Sequence, residues 1–285
     1  MRLAHLLLIH ADPQQTRRLV NRLHHAQADV YIHLDAKADI ADFESLAEIG
    51  NVFFIRNRVS VFWGNYSMVE AELNSFEEIL ETQKQYSHIN LLSGQDYPLK
   101  SAAEIQKFLF AHADKSYIRF FAIPQDWDEP VSRLQKYNFG DFAIPGKHKL
   151  QVLANRLLPA RKTPANLQIY GRSQWFTITP AAARFSIDYL KANPKIQRFF
   201  KLTWTADELI FQTILLNSPL RDSIVNDHLR YIRFKRGDSR PHTLTMVDVE
   251  ILTDSGKFYA RKFDPKVDAA VMDELDKLAA KTPTR

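Results

Sequence analysis

The sequence predicts an α/β fold, with a mainly parallel central sheet covered by helices on both faces, and three observations point to it. Short, almost wholly apolar runs such as LAHLLLIH at 3–10 have the composition of strands buried on both sides. Segments with apolar residues at helical spacing alternate with those runs through the first half of the chain. The 285 residues are 45% hydrophobic, enough for one large core, and no repeat or Gly/Ser-rich linker divides them.

Taken in order, residues 3–10 give the first strand, and Pro13 opens a helix in which Leu19, Val20 and Leu23 share a side. DVYIHLD (29–35) reads as a second strand ending in an acid, and NVFFI (51–55) as a third. Residues 66–83 place Met68, Val69, Leu73, Phe76, Ile79 and Leu80 at helical spacing; HINLLS (88–93) is a fourth strand and 101–112 a further helix. The second half is less regular. It offers SYIRFF (116–121), basic loops through 145–165, a strand at SQWFTI (173–178), a helix from Pro180 and a final helix with a polar tail. In KLTWTADELIFQTILLNSP (201–219), Thr205 and Glu208 have the spacing of a capping box before the apolar residues Leu209, Ile210, Phe211 and Ile214.

With no cysteine, disulfides and thiolate-held metals are excluded. The net charge of +5 suits an anionic partner: a nucleotide, a membrane surface or nucleic acid. The opening MRLAHLLLIHADPQQ lacks a signal peptide's cleavage region and is too short to span a bilayer, so a cytoplasmic location is expected.

Ligands of open α/β sheets bind beyond the carboxyl ends of the strands. Three such ends carry candidate residues: His10–Ala11–Asp12, Asp35–Ala36–Lys37 and Ser93–Gly94–Gln95–Asp96. Asp35 is placed either to accept hydrogen bonds from a nucleoside or to close a turn. No glycine follows the first strand and no P-loop is present, which argues against a dinucleotide domain. Trp63, in VFWGN, is a stacking surface for a base or a plug at the sheet edge. An Asp-x-Asp pair that would hold a pyrophosphate-bound cation occurs once, at Asp126 and Asp128, in a stretch that reads as a solvated loop. Arg261 and Lys262, between aromatics in KFYARKFDP, are cations that could neutralise a diphosphate without a metal, or simply an exposed turn. RYIRFKRGDSRPH (230–242) mixes cations with Tyr231 and Phe234 as RNA-binding segments do, but no nucleic-acid signature accompanies it.

In this order the segments HLLLIHADPQQTRRLVNRL, VYIHLDAKAD, VFWGNYSMVEAEL, INLLSGQDYPLKS, GRSQWFTIT, TWTADELIFQTIL and FYARKFD resemble the core-2/I-branching β-1,6-N-acetylglucosaminyltransferase and peptide xylosyltransferase family, glycosyltransferase family 14. The resemblance runs from residue 5 to 264. It implies a GT-A fold in a single domain, with a nucleotide-binding half at about 1–122 and an acceptor and catalytic half at about 123–285. It further implies a UDP-sugar donor, inversion at the anomeric carbon and no cofactor or bound metal. The donor sugar would be GlcNAc, with xylose the alternative, and the acceptor a glycan or lipid-linked saccharide of a surface polysaccharide, with peripheral contact at the inner membrane face and no nucleic acid partner.

By position, the family's uridine contacts fall on Ile9, His10, Ala11, Asp35 and Trp63, and its diphosphate ligands on Lys262, Arg261 and, through a gapped stretch, Arg240. The base falls on Glu208. The acceptor side would include Asp96, Ser173, Gln174, Trp175 and Phe234; Phe234 stands where the family often has Trp, and KRG follows it. Backbone amides at a helix start would favour ionised Glu208, ready to take a proton at neutral pH. The rival expectation is a basic, non-catalytic glycan- or nucleic-acid-binding protein, which UDP should not stabilise.

Overall fold

A computed structural model describes residues 1–164, 167–234 and 240–281. The apolar runs become β1 (Arg2–Ile9), β2 (Ala28–Leu34), β3 (Val52–Phe54) and β4 (Tyr86–Ser93), joined by helices α1 (Pro13–Leu23) and α2 (Tyr66–Glu81). There follow β5 (Asp96–Pro98), α3 (Ala102–Ala111), β6 (Ser116–Ile123), α4 (Val131–Gln135), α5 (Lys147–Leu157) and β7 (Ile169–Ile178). The remainder comprises α6 (Pro180–Ala192), α7 (Pro194–Lys201), α8 (Ile210–Leu216), β8 (Ile224–Val225), β9 (Arg230–Ile232), α9 (Val249–Asp254), β10 (Tyr259–Arg261) and α10 (Ala270–Lys281).

Seven strands form one sheet in the order β3-β2-β1-β4-β7-β6-β8, and only β7 runs against the rest. Both faces are covered, which is why β1 is apolar without alternation. Its Leu3, Leu7 and Ile9 pack with α1, α3 and α10, while Ala4 and Leu6 pack with α2, α6 and α8. A smaller sheet, β5-β10-β9, sits beside the first; β10 is antiparallel to β5, and this register places Arg261 opposite Asp96. Helix α10 is tied to α1 by ion pairs of 2.7 Å from Arg18 to both Asp273 and Asp276.

The pairing of β7 positions the site. Asn90 of β4 lies opposite Thr177, so β4 ends at Ser93 about level with Gln174. Residues 169–173 therefore run past the carboxyl end of β4, with β6 as their strand partner and α8 packed along them.

Candidate functional site

One end of the site is built on this overhang. Gly171 is required there, because a Cβ would lie 2.7 Å from the carbonyl oxygen of Glu208 and 2.4 Å from Leu209. Glu208 closes a single 3-10 turn (Ala206–Glu208) and then α8 begins. The expected capping box is absent. Thr205 is left-handed (φ 53°), makes no side-chain cap bond, and gives its hydroxyl to the Trp204 carbonyl at 2.8 Å while accepting from Arg133. Its amide donates to the Gly64 carbonyl (2.7 Å), where a positive φ of 73° and the Trp204 ring under the Cα demand glycine.

The Glu208 carboxylate instead receives Arg133 at 3.0 Å, and its side chain is 33% exposed. Burial raises its pKa, an effect opposed by Arg133. That reverses the expectation of an acid held low by helix amides: the turn is too short, and among the described residues no amide bonds the carboxylate. Asp207 beside it is buried, with Oδ1 unpartnered, and burial followed by the Glu208 charge pushes it up to about 8. Beneath lies Glu72 of α2, fully buried. It accepts Gln174 Nε2 at 2.8 Å on one oxygen, has no partner on the other, and is pushed well above the usual carboxylate range by burial.

The other end is cationic. Arg261 stacks over Trp175 (4.2 Å) and its Nε lies 3.5 Å from Asp96, yet Nε and Nη1 have no hydrogen-bond acceptor. Arg230 is fully buried and, among the described residues, bonds only neutral oxygens, those of Asn90 (2.5 Å), Thr177 (3.0 Å), Leu91 (2.8 Å) and Phe176 (2.9 Å) among them. Burial lowers both guanidinium pKa values, that of Arg230 to about 10, and a guanidinium keeps its charge near neutral pH. Burial, and then the Arg230 charge, lower the His5 pKa to about 3 and hold it neutral. Lys262 is half-buried, and among the described residues its side chain has no ion pair. Two buried arginines thus share one buried carboxylate, Asp96, while Asp227 near Arg230 is part-exposed and paired with Lys257; the result is a surplus of buried cation that attracts an anion.

Of the remaining expected residues, Ile9 is buried at the end of β1 whereas His10 and Ala11 are exposed just beyond it. Asp35 lies beside them, its amide on the Ile9 carbonyl (2.8 Å) and its carboxylate on the Lys37 amide and ammonium, both at 2.9 Å. Lys37 covers the Phe62 ring (4.5 Å), next to Trp63, which is 58% exposed and edge-on to Trp204. Ser173 is buried, its carbonyl taken by Gln212, and Gln174 points at Glu72. Asp96 differs from the acceptor contact expected of it: it is fully buried under Arg261, accepts the Ser93 amide (2.8 Å) and offers no surface to an acceptor. Arg240 and Phe234 are exposed, while Lys235–Gly237 lie outside the described residues. Asp126 folds back on the Ala122 amide (3.1 Å), as a solvated turn does.

Residues 3–255 match the Core-2/I-Branching enzyme family. The chain belongs to that family. Membership makes this stretch a glycosyltransferase domain. Xylosyltransferase 2 of Rattus norvegicus is 26% identical over 97% of this chain and 33% of its own length. The Homo sapiens protein of that name is 27% identical, and xylosyltransferase 1 of Canis lupus familiaris 23%. The chain thus spans about a third of the length of these curated relatives. Among solved structures, S. aureus TarS 1–349 overlaps 98% of this chain and 64% of its own, with a TM-score of 0.42 and 12% identity.

Proposed function

We propose that the domain is an inverting UDP-sugar transferase, with Glu208 as the base and Arg261 and Lys262 on the leaving diphosphate. One observation carries this reading. Against a single strand, β7, pack a carboxylate of raised proton affinity, Glu208 beside Gly171 of the overhang, and a buried cation, Arg261 over Trp175 level with the carboxyl end of the sheet. From Gly171 to Trp175 is about 13 Å of strand, room for a sugar and its phosphates.

In the reaction, the acceptor hydroxyl gives its proton to Glu208 as its oxygen bonds to the anomeric carbon. The bond from that carbon to the diphosphate breaks on the opposite face, and the electron pair leaves with UDP. Arg261 and Lys262 stabilise the charge that develops there, the role a divalent cation would otherwise fill. Asp35 and the exposed Trp63 flank the strand ends as the uridine side. GlcNAc is the donor sugar we favour, with xylose the alternative that the named relatives suggest, and a glycan hydroxyl is the acceptor.

The test is transfer from a panel of UDP-sugars to a lipid-linked saccharide, followed by mass, with and without EDTA. Transfer undiminished by EDTA is expected. Activity abolished by EDTA and restored by manganese would overturn the metal-free reading, and no turnover or UDP-dependent stabilisation at all would favour a non-catalytic binding protein.

A further inference from the structure

Helix α5 contradicts the usual rule for a surface helix, which turns its apolar stripe inward. Its polar residues Lys147, Gln151 and Asn155, spaced by four, hold it to the protein. Gln151 accepts the Phe139 amide (2.7 Å), Asn155 bonds both the amide and the carbonyl of Tyr137 (2.7 and 2.9 Å), and Lys147 donates to the Gly140 carbonyl (2.5 Å). The leucine stripe at i, i+3 and i+7 is left outside: Leu150, Leu153 and Leu157 are 46%, 51% and 69% exposed. No residue of the helix is buried. Phe142 and Ile144 before it and Leu158 after it extend the exposed apolar surface.

Charge identifies what covers this face. No Asp or Glu occurs between Asp141 and Asp188, while Lys149, Arg156 and Lys162 are exposed around the stripe, without ion pairs among the described residues. A second copy would bring like charges together across a two-fold axis. Nucleic acid would leave the aliphatic stripe uncovered. An anionic bilayer satisfies both features, taking leucines below the headgroups and cations at their level.

We infer that the α5 face docks on the surface of an anionic lipid bilayer. The helix lies flat, about 16 Å long, too short to cross the membrane. Its first turn adjoins the candidate site, since Lys147 lies over the Phe62 ring (5.6 Å) one residue from Trp63. Docking would therefore hold the nucleotide side close to the bilayer. This inference stands whether or not the domain transfers sugar.

The experiment is co-sedimentation of the whole chain with phosphatidylcholine vesicles, with and without phosphatidylglycerol, at low ionic strength. Binding is expected only with the anionic lipid. The pair Lys149→Glu/Arg156→Glu should weaken it at least about 25-fold, at about fivefold per cation removed. The pair Leu153→Asp/Leu157→Asp should weaken it at least about tenfold through lost apolar burial. Both pairs alter exposed side chains, so melting and UDP binding should match the parent. Failure of the parent to bind anionic vesicles would overturn the inference. So would loss in the charge pair alone, which means electrostatic adsorption, or a dimer that the leucine pair dissolves, which means a second copy.

Discussion

The two ends of β7 hold opposite excesses. At the overhang, Glu208, Asp207 and Glu72 lie together, Glu208 is paired with Arg133 and also feels Arg172, and burial drives all three acids toward protonation. At the sheet edge, Arg230 and Arg261 surround one buried acid, Asp96, and stay charged despite lowered pKa values. The difference teaches how one site can divide its work. A surplus of buried carboxylates makes a place where protons are taken and given near neutral pH. A surplus of arginines makes a place of fixed charge, since a guanidinium does not titrate in that range.

The widest separation of the two ends should come from Glu208→Gln. The amide still accepts from Arg133, and the pair is part-exposed, so stability should change by about 0–1 kcal/mol. Turnover should fall about 10²–10⁴-fold because an amide takes no proton, with UDP affinity unchanged. Near-normal transfer would return Glu208 to a structural role. In the parent, the raised Glu208 pKa means that activity climbs with pH through a range above that of an ordinary glutamate.

Lys262→Ala acts at the opposite end. Loss of a charge-assisted contact to phosphate, worth about 1.5–3 kcal/mol, should weaken UDP about tenfold or more, with melting unchanged. An unaltered UDP titration would leave the cationic end to Arg261 and Arg230.

A third effect, read in stability and not in activity, belongs to Asp207→Asn. In the native state Asp207 holds its proton up to about 8, whereas unfolded it releases it near 3.8. Its contribution is therefore complete below the unfolded value and is lost as pH rises through the folded one, at up to about 1.4 kcal/mol per pH unit for one proton. Melting temperatures across about pH 5 to 9 should fall less steeply in the variant, with Glu72 supplying the slope that remains. Equal slopes would mean that Asp207 is ionised in the native protein.

Much of the fold was legible because β1, β2 and β4 are buried on both faces and carry that burial in their composition. The candidate base was found through a motif, but its setting was misread. Thr205–Glu208 has the letters of a capping box, and only the left-handed backbone at Thr205 reveals that the hydroxyl is spent on Trp204 and Arg133. Arg133 itself left no local signal, coming from a five-residue helix in an irregular stretch. Arg230 was seen as part of a basic surface run, whereas it is wholly buried. Glu72 could have been found: it falls in phase with Val69, Phe76 and Ile79, and a carboxylate on the buried face of a helix asks for an explanation. Asp96 was placed among acceptor contacts because a short β5 strand antiparallel to β10 cannot be inferred from three residues.

The strand that joins the two ends also limits how such an enzyme can diversify. Adding or removing one residue between Gly171 and Trp175 would exchange the faces of everything beyond it, turning Trp175 away from Arg261 or a side chain into Glu208. The interval is therefore an inherited measure that descendants keep or lose whole. New substrates have to be accommodated in the connections around it, so lineages of this fold should differ most in their loops and least in the length of this one strand.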